Sequence, residues 1–140
     1  MRVLGLDVGD RYIGVAMSDT LGLTAQPLAI LDRQAGATGE AAVAALIAQH
    51  KAERVIVGLP LTLRGERGPQ AEKVSAFADR LRVLAGVPVD LIDERLTTVQ
   101  GQRVLRELGV KRRGRILDQI AAQLILQHYL DAQRHSASAS

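Results

Sequence analysis

The sequence predicts an α/β domain, a five-stranded mixed sheet with helices on both faces. Three observations carry this. Apolar runs rich in Val, Ile and Leu alternate with segments of helical spacing. The first two runs, VLGLDVG and RYIGVAMSD, are separated only by a short polar turn and form an antiparallel hairpin. The later runs are separated by helices, and strands joined through a helix run parallel.

The elements follow in order. The hairpin spans residues 3–19. LTAQPLAIL (23–31) is a third strand, which Pro27 pushes toward an edge or a bulge. ATGEAAVAALIAQHK has strong helix formers and places Val43, Leu46 and Ile47 on one face. RVIVGLP (54–60) is a continuous apolar run, as in a parallel strand buried on both sides. A polar loop, LTLRGERGPQ, leads to a helix over 69–85, with Pro69 in its first turn and an apolar stripe at Val74, Phe77, Leu81 and Leu84. VPVDLIDE (87–94) is the fifth strand. TTVQGQRVLRELG is an amphipathic helix, capped by Thr97 or Thr98 and ended by Gly109. A long apolar helix covers 116–134, and HSASAS is a small polar tail. Residues 1–134 thus form one domain and 135–140 a disordered tail.

Composition narrows the function classes. Hydrophobic residues make up 47% of the 140 residues but aromatics only 2%, so recognition by base stacking has little to work with. There is no cysteine, hence no disulfide and no thiolate metal site. No run approaches the roughly 18–20 apolar residues of a membrane span, and no signal-peptide pattern opens the chain, so a cytoplasmic location is expected. The net charge of +3 is unevenly spread. Residues 1–60 are close to neutral, whereas 61–140 are basic, and KRRGR at 111–115 packs four cations into five positions. That asymmetry suits a polyanionic partner such as nucleic acid.

Against this basic background three acids stand in apolar settings. Asp7 ends the first strand, Glu94 follows Asp93 at the end of the last strand, and Asp118 lies in the first turn of the final helix. On a helical wheel Asp118 sits at the edge of the stripe formed by Leu117, Ile120, Ala121 and Leu124, facing the sheet. Each acid has an ordinary structural explanation: a turn cap for Asp7, the helix dipole for Asp118, an ion pair with Arg95 or Arg103 for Glu94. Their convergence at one sheet edge is harder to explain that way. Like charges brought together repel, and a hard divalent cation such as Mg²⁺ or Mn²⁺ relieves the repulsion with oxygen ligands. Such ions activate water for phosphodiester hydrolysis without cysteine, histidine or a covalent nucleophile. Asp10 and Asp19 read as turn residues. His50, His128 and His135 show no ligand spacing, and alternation points Asp93 away from Glu94. Arg64 and Arg67 in the loop 61–70, with Lys111, Arg112, Arg113 and Arg115, are candidate phosphate contacts.

Four segments, GLDVGDRYIGVAMSD, VIVGLPLTLRGERGPQA, DERLTT and RILDQIAAQLILQHYL, resemble in order and spacing the YqgF/RuvX family, over residues 2–131. Its members are described as Holliday junction resolvases and as pre-16S rRNA nucleases. The resemblance implies a ribonuclease H-like fold and a divalent metal held by Asp7, Glu94 and Asp118. It also implies substrate contacts from Arg95, Thr97, Thr98 and Arg115. This chain has Thr62 where the family often has Asn, and Gln100 and Gly101 where an Ala is common. The expectation is a metal-dependent endonuclease, a monomer or homodimer, with RNA favoured and precursor rRNA implied. Cleavage of branched DNA junctions is the alternative. The hairpin also looks like the phosphate-binding hairpin of the actin, Hsp70 and sugar-kinase superfold, but those enzymes close two lobes on a nucleotide and one domain supplies only one. A non-catalytic nucleic-acid-binding module is the remaining rival. A pure phosphate binder gains nothing from clustered negative charge.

Overall fold

A computed structural model describes residues 1–34, 39–62, 64–94 and 114–139, and the side chains of the last helix over 118–136. The elements are β1 (Val3–Val8), β2 (Tyr12–Ser18), β3 (Ala25–Asp32), α1 (Gly39–His50), β4 (Arg54–Leu59), α2 (Pro69–Ala85), β5 (Val89–Asp93) and α3 (Gly114–Ala139). The five strands form one sheet in the order β3-β2-β1-β4-β5. β1 pairs antiparallel with β2, and β2 with β3; β1, β4 and β5 run parallel. Pro27 lies on the edge strand and also at an irregularity, since Val15 faces Ala29 while Ala16 faces Pro27. The missing proline donor is harmless there.

Strand alternation sorts the core into two. Leu4, Leu6, Val8, Val55, Val57 and Leu59 point to the side covered by α1 and α2, where they meet Val43, Ile47, Val74, Phe77 and Leu81. Val3, Ala16 and Ile56 point to the other side, against Ala121, Ala122, Ile125, Leu126 and Leu130 of α3. α2 begins at Pro69 and ends at Gly86, which adopts φ 68°, the left-handed conformation that glycine tolerates best.

Three details differ from the sequence-based expectation. Leu84 is 54% exposed, because it lies at the margin of the α2 stripe in the last turn, while Ala71 and Ala78 complete the buried face. α3 begins at Gly114, so Asp118 sits beyond its first turn. The helix also continues through Ala139, where a disordered polar tail is expected; the segment has no Gly or Pro to stop it, and alanine favours its extension. The helix expected at 97–109 lies outside the described residues.

Candidate active site

The parallel strands bring the carboxyl ends of β1, β4 and β5 to one edge of the sheet, where sites of open α/β sheets gather. Asp7 is the penultimate residue of β1. Its neighbours Leu6 and Val8 face α1 and α2, so alternation turns Asp7 toward α3. Across the hairpin it pairs with Gly14. On its other side β1 and β4 match Leu6 with Val57, which brings Gly58 next to Asp7.

Those two glycines make the room that the acids use. A Cβ on Gly14 would collide with the backbone carbonyl of Asp118, so α3 lies directly on the strand there. A Cβ on Gly58 would collide with the Glu94 carboxylate and with Ile125. A Cβ on Gly9 would sit 3.4 Å from both Asp118 carboxylate oxygens. Asp118 therefore hangs over the Asp7–Gly14 pair and the turn that follows β1, while Glu94 reaches back over Gly58. Asp7, Glu94 and Asp118 are 0%, 1% and 4% exposed and are the only buried acids among the described residues. The remaining buried polar side chain, Ser18, holds the start of β1 in place, its Oγ accepting the Val3 amide at 2.9 Å.

Asp118 belongs more fully to the buried face than the wheel predicts. Asp118, Ala121, Ala122, Ile125 and Leu126 form the stripe, and Ile120, counted in it from sequence, is 37% exposed. The glycines let α3 lie close on this face, with Ala122 and Leu126 over Gly5, the Asp118 backbone over Gly14 and Ile125 over Gly58, while Ile120 lies off it. Asp93, as expected, falls on the opposite register from Glu94, its pairing partner being Leu59 of the α1/α2 side.

Several positioning residues carry no motif and are missed by sequence reading. Gln127 ties α3 to the edge strand, accepting the Ala25 amide at 2.9 Å through Oε1 and donating to the Leu23 carbonyl at 3.0 Å through Nε2. Arg33 donates to the Gly9 carbonyl at 2.8 Å and lies over the Phe77 ring, which holds the turn after Asp7. Thr62 closes the loop after β4: its hydroxyl accepts the Glu66 amide at 3.1 Å and its own amide donates to the Glu66 carbonyl at 2.9 Å. The position where the family often has Asn thus has a loop-closing role here. Arg64 and Arg67 of that loop are exposed beside the same sheet edge, Arg67 donating to Ser75 Oγ at 3.2 Å. Asp19 is a turn residue as expected. The Thr24 hydroxyl and the Leu23 amide donate to it and hold its carboxyl below the usual range. Asp10 is also in a turn, in an ion pair with Lys73. Arg95, Thr97, Thr98, Lys111, Arg112 and Arg113 lie outside the described residues, and of Arg115 only the helical backbone is described.

The donor set is all hard oxygen, which suits Mg²⁺ or Mn²⁺. Among the described residues no three His, Cys, Asp or Glu side chains are grouped closely enough to hold a metal ion between them. Mg²⁺ does not require such a group; it is commonly held by one or two carboxylates with waters and substrate phosphate completing the shell. The glycine-lined space around Asp7 and Asp118 fits that mode.

Comparison with known proteins converges on the same group. The profile of RuvX, Holliday junction resolvase, matches residues 1–132. A protein of Moorella thermoacetica is 50% identical over 133 residues, covering 94% of this chain and 95% of that protein. One of Chloroflexus aggregans is 47% identical over 135 residues, covering 95% of each. Both are assigned provisionally as pre-16S rRNA nucleases. Among solved structures, Thermus thermophilus RuvC in complex with a Holliday junction substrate matches with TM-score 0.58 at 20% identity over 96% of both chains. Fowlpox virus resolvase bound to Holliday junction DNA matches with TM-score 0.52 at 13% identity over 95% of this chain and 99% of that one. At those identities the likeness shows the fold, which is ribonuclease H-like. No helix among the described residues is long and apolar enough to cross a membrane.

Proposed function

The chain belongs to the RuvX family of Holliday junction resolvases, and from that premise we propose that it is a divalent-metal-dependent endonuclease that processes precursor ribosomal RNA in the cytoplasm, with Asp7, Glu94 and Asp118 as its catalytic and metal-holding carboxylates. One observation carries the reading: the only buried acids among the described residues arrive from three separate elements on one face of one sheet edge. Like charges gathered at a buried edge repel one another, and protonation or a cation relieves that repulsion. When bound, Mg²⁺ or Mn²⁺ supplies the compensation, activates water and stabilises charge developing on the phosphodiester.

The chain's own residues divide the remaining work. Asp7 is fixed within a central strand, so its carboxylate is held by sheet geometry instead of by a loop. Asp118 is set by the height of α3 above Gly14, and Glu94 by the space over Gly58. Arg64 and Arg67, exposed on the loop after β4, hold flanking phosphates, contacts that give affinity and position but little sequence information. Arg95, Thr97, Thr98 and the cluster Lys111, Arg112, Arg113 and Arg115 extend this cationic and polar rim in the proposal. RNA is favoured because the relatives of high identity carry the rRNA nuclease assignment. The description of the matching family favours a second reading, resolution of branched DNA, which calls for two matched sites in a dimer.

A side-by-side cleavage assay tests both. The substrates are a single-stranded rRNA-precursor fragment and a four-way DNA junction, each with Mn²⁺, Mg²⁺ or EDTA, and wild type is run against Asp7→Asn. Metal-dependent RNA cleavage that the variant lacks is the expected result. Symmetric junction cuts without RNA cleavage would replace the RNA reading by the second. Cleavage of neither substrate, with binding indifferent to Asp7→Asn and to metal, would leave a binding module.

A further inference from the structure

Across the sheet from the acids, between α2 and the turn after β3, lies a cavity of about 500 Å³. Three cations line it, Arg33, Lys73 and Arg80, together with Asp10 and the amides Gln34 and Gln70. No aromatic side chain is among the lining residues, so the cavity offers nothing for a base to stack on. What it offers is a cluster of hydrogen-bond donors with net positive charge, chemistry that recognises a phosphate.

Two of the three cations are pre-arranged. Arg33 is pinned by its bond to the Gly9 carbonyl and by the face of Phe77. Arg80 meets Glu40 through Nε at 3.0 Å, a bond that does not use its terminal nitrogens. Lys73 reaches Asp10 at 3.5 Å, with side chains 66% and 74% exposed, a loose surface pair that a phosphate can rearrange at little cost. The cavity is also next to the acids along the chain. Val8 lines it, and Asp7, one residue earlier, faces α3 on the other side of the same strand. A strand bent over the turn at residues 9–11 would pass from one to the other.

We propose that this cavity is a second nucleic-acid subsite, taking a backbone phosphate of the strand a few nucleotides from the one presented to the carboxylates. The proposal rests on the nuclease reading only for where the strand starts; the binding itself needs no cleavage. A phosphate can also arrive on a free mononucleotide, and the test separates the two.

The experiment measures fluorescence anisotropy of a labelled single-stranded RNA 12-mer in EDTA, over a range of salt, with all variants carried on Asp7→Asn so that the strand stays intact. Lys73→Gln and Arg80→Gln are each expected to weaken binding about fivefold at 0.1 M salt and to lower the salt slope by about 0.7, the amount for one lost single-strand phosphate contact. The double variant should be weaker than either single variant but by less than the product of the two effects, because both cations serve the same phosphate. Arg134→Gln, near the far end of α3 and about 24 Å along the helix from Asp118, removes the same charge and should change neither quantity. On the otherwise wild-type chain, Lys73→Gln should raise KM for RNA and leave kcat in place. Unchanged affinity and slope in both single variants would overturn the proposal. So would tight binding of adenosine monophosphate that Lys73→Gln abolishes while RNA affinity stays constant, since the cavity would then serve a free nucleotide. Absence of cleavage by the wild type would count against the nuclease reading and leave these binding results standing.

Discussion

Replacing Gly14 by alanine tests whether the height of α3 sets the spacing of the acids. Gly14 pairs with Asp7, and a Cβ there would strike the Asp118 carbonyl and come within 2.7 Å of the Gln119 nitrogen. These are helix backbone atoms, so no rotamer change relieves the clash. The helix must retreat by about an ångström. Overpacking costs about 1–3 kcal/mol, and a backbone obstacle places this case at the upper end. The corresponding drop in Tm is roughly 5–10 °C for a domain of this size. A reserve of about 5–15 kcal/mol keeps the variant folded at 25 °C. The same displacement moves Asp118 away from Asp7, and an error of about 1 Å costs about 100-fold in rate. The assay is metal-dependent cleavage at 25 °C, expressed per folded molecule from circular dichroism. Gly22→Ala is the control: Gly22 has φ 70° and nothing within 4 Å of a Cβ, so alanine there costs about 1–2 kcal/mol of strain and touches no acid. It should cut as fast as wild type per folded molecule. Wild-type turnover in Gly14→Ala would refute the idea that helix height governs the site.

Mn²⁺ should raise the Tm of the wild type, by the equivalent of about 2.7 kcal/mol at a hundredfold excess over Kd, and Asp7→Asn should lose most of that shift. An equal Mn²⁺ shift in both proteins would remove Asp7 from the metal site. Ser18→Ala leaves the buried Val3 amide without its acceptor and should cost about 1–3 kcal/mol in urea unfolding, with no change in cleavage per folded molecule. Glu40 supplies a pH test. Partial burial pushes its carboxyl up, but its own backbone amide, Arg80 and Arg33 outweigh this and hold it below 4.5. A depressed carboxyl favours the folded state at neutral pH, and that contribution disappears as pH falls through the folded value. Glu40→Gln should therefore flatten the stability profile below about pH 4.5 and lower the plateau above it; identical profiles would show that Glu40 does not titrate differently on folding.

The fold was legible because its signals are local. Two Val-, Ile- and Leu-rich runs across a short polar turn marked the hairpin, a continuous apolar run marked the interior strand β4, and Pro27 marked an edge or a bulge. The acids were legible because a carboxylate inside an apolar run is conspicuous in one dimension. Their surroundings were not. Gly14 and Gly58 matter through what lies above them, α3 and Glu94, and no spacing rule links residue 14 to 118 or 58 to 94. The stripe read from the wheel, Leu117, Ile120, Ala121 and Leu124, follows apolarity alone; in the fold Ala121 is buried and Leu124 packs against the core on that side, whereas Ile120 is 37% exposed and the Leu117 side chain lies outside the described residues. Gln127 and Arg33 are ordinary polar residues until a strand edge or a turn carbonyl comes within reach.

The two faces of the sheet hold different balances of stability and function. Under α1 and α2 the strands present Leu4, Leu6, Val57 and Leu59 to Val43, Val74 and Phe77, an ordinary apolar core. Under α3 the same strands present Gly14, Asp7 and Gly58 at the carboxyl edge, and Val3, Ala16 and Ile56 only farther down. α3 is thus secured by its later turns, through Ile125, Leu126 and Leu130 and the Gln127 clamp on β3. Its early turns carry Asp118 over a surface that attracts no hydrophobic partner. The acid geometry is then imposed from the anchored end of a rigid helix. Gln127→Ala, two to three turns from Asp118, removes the clamp that seats α3 on the edge strand and should slow metal-dependent cleavage per folded molecule; wild-type turnover would show that the clamp does not set the position of Asp118.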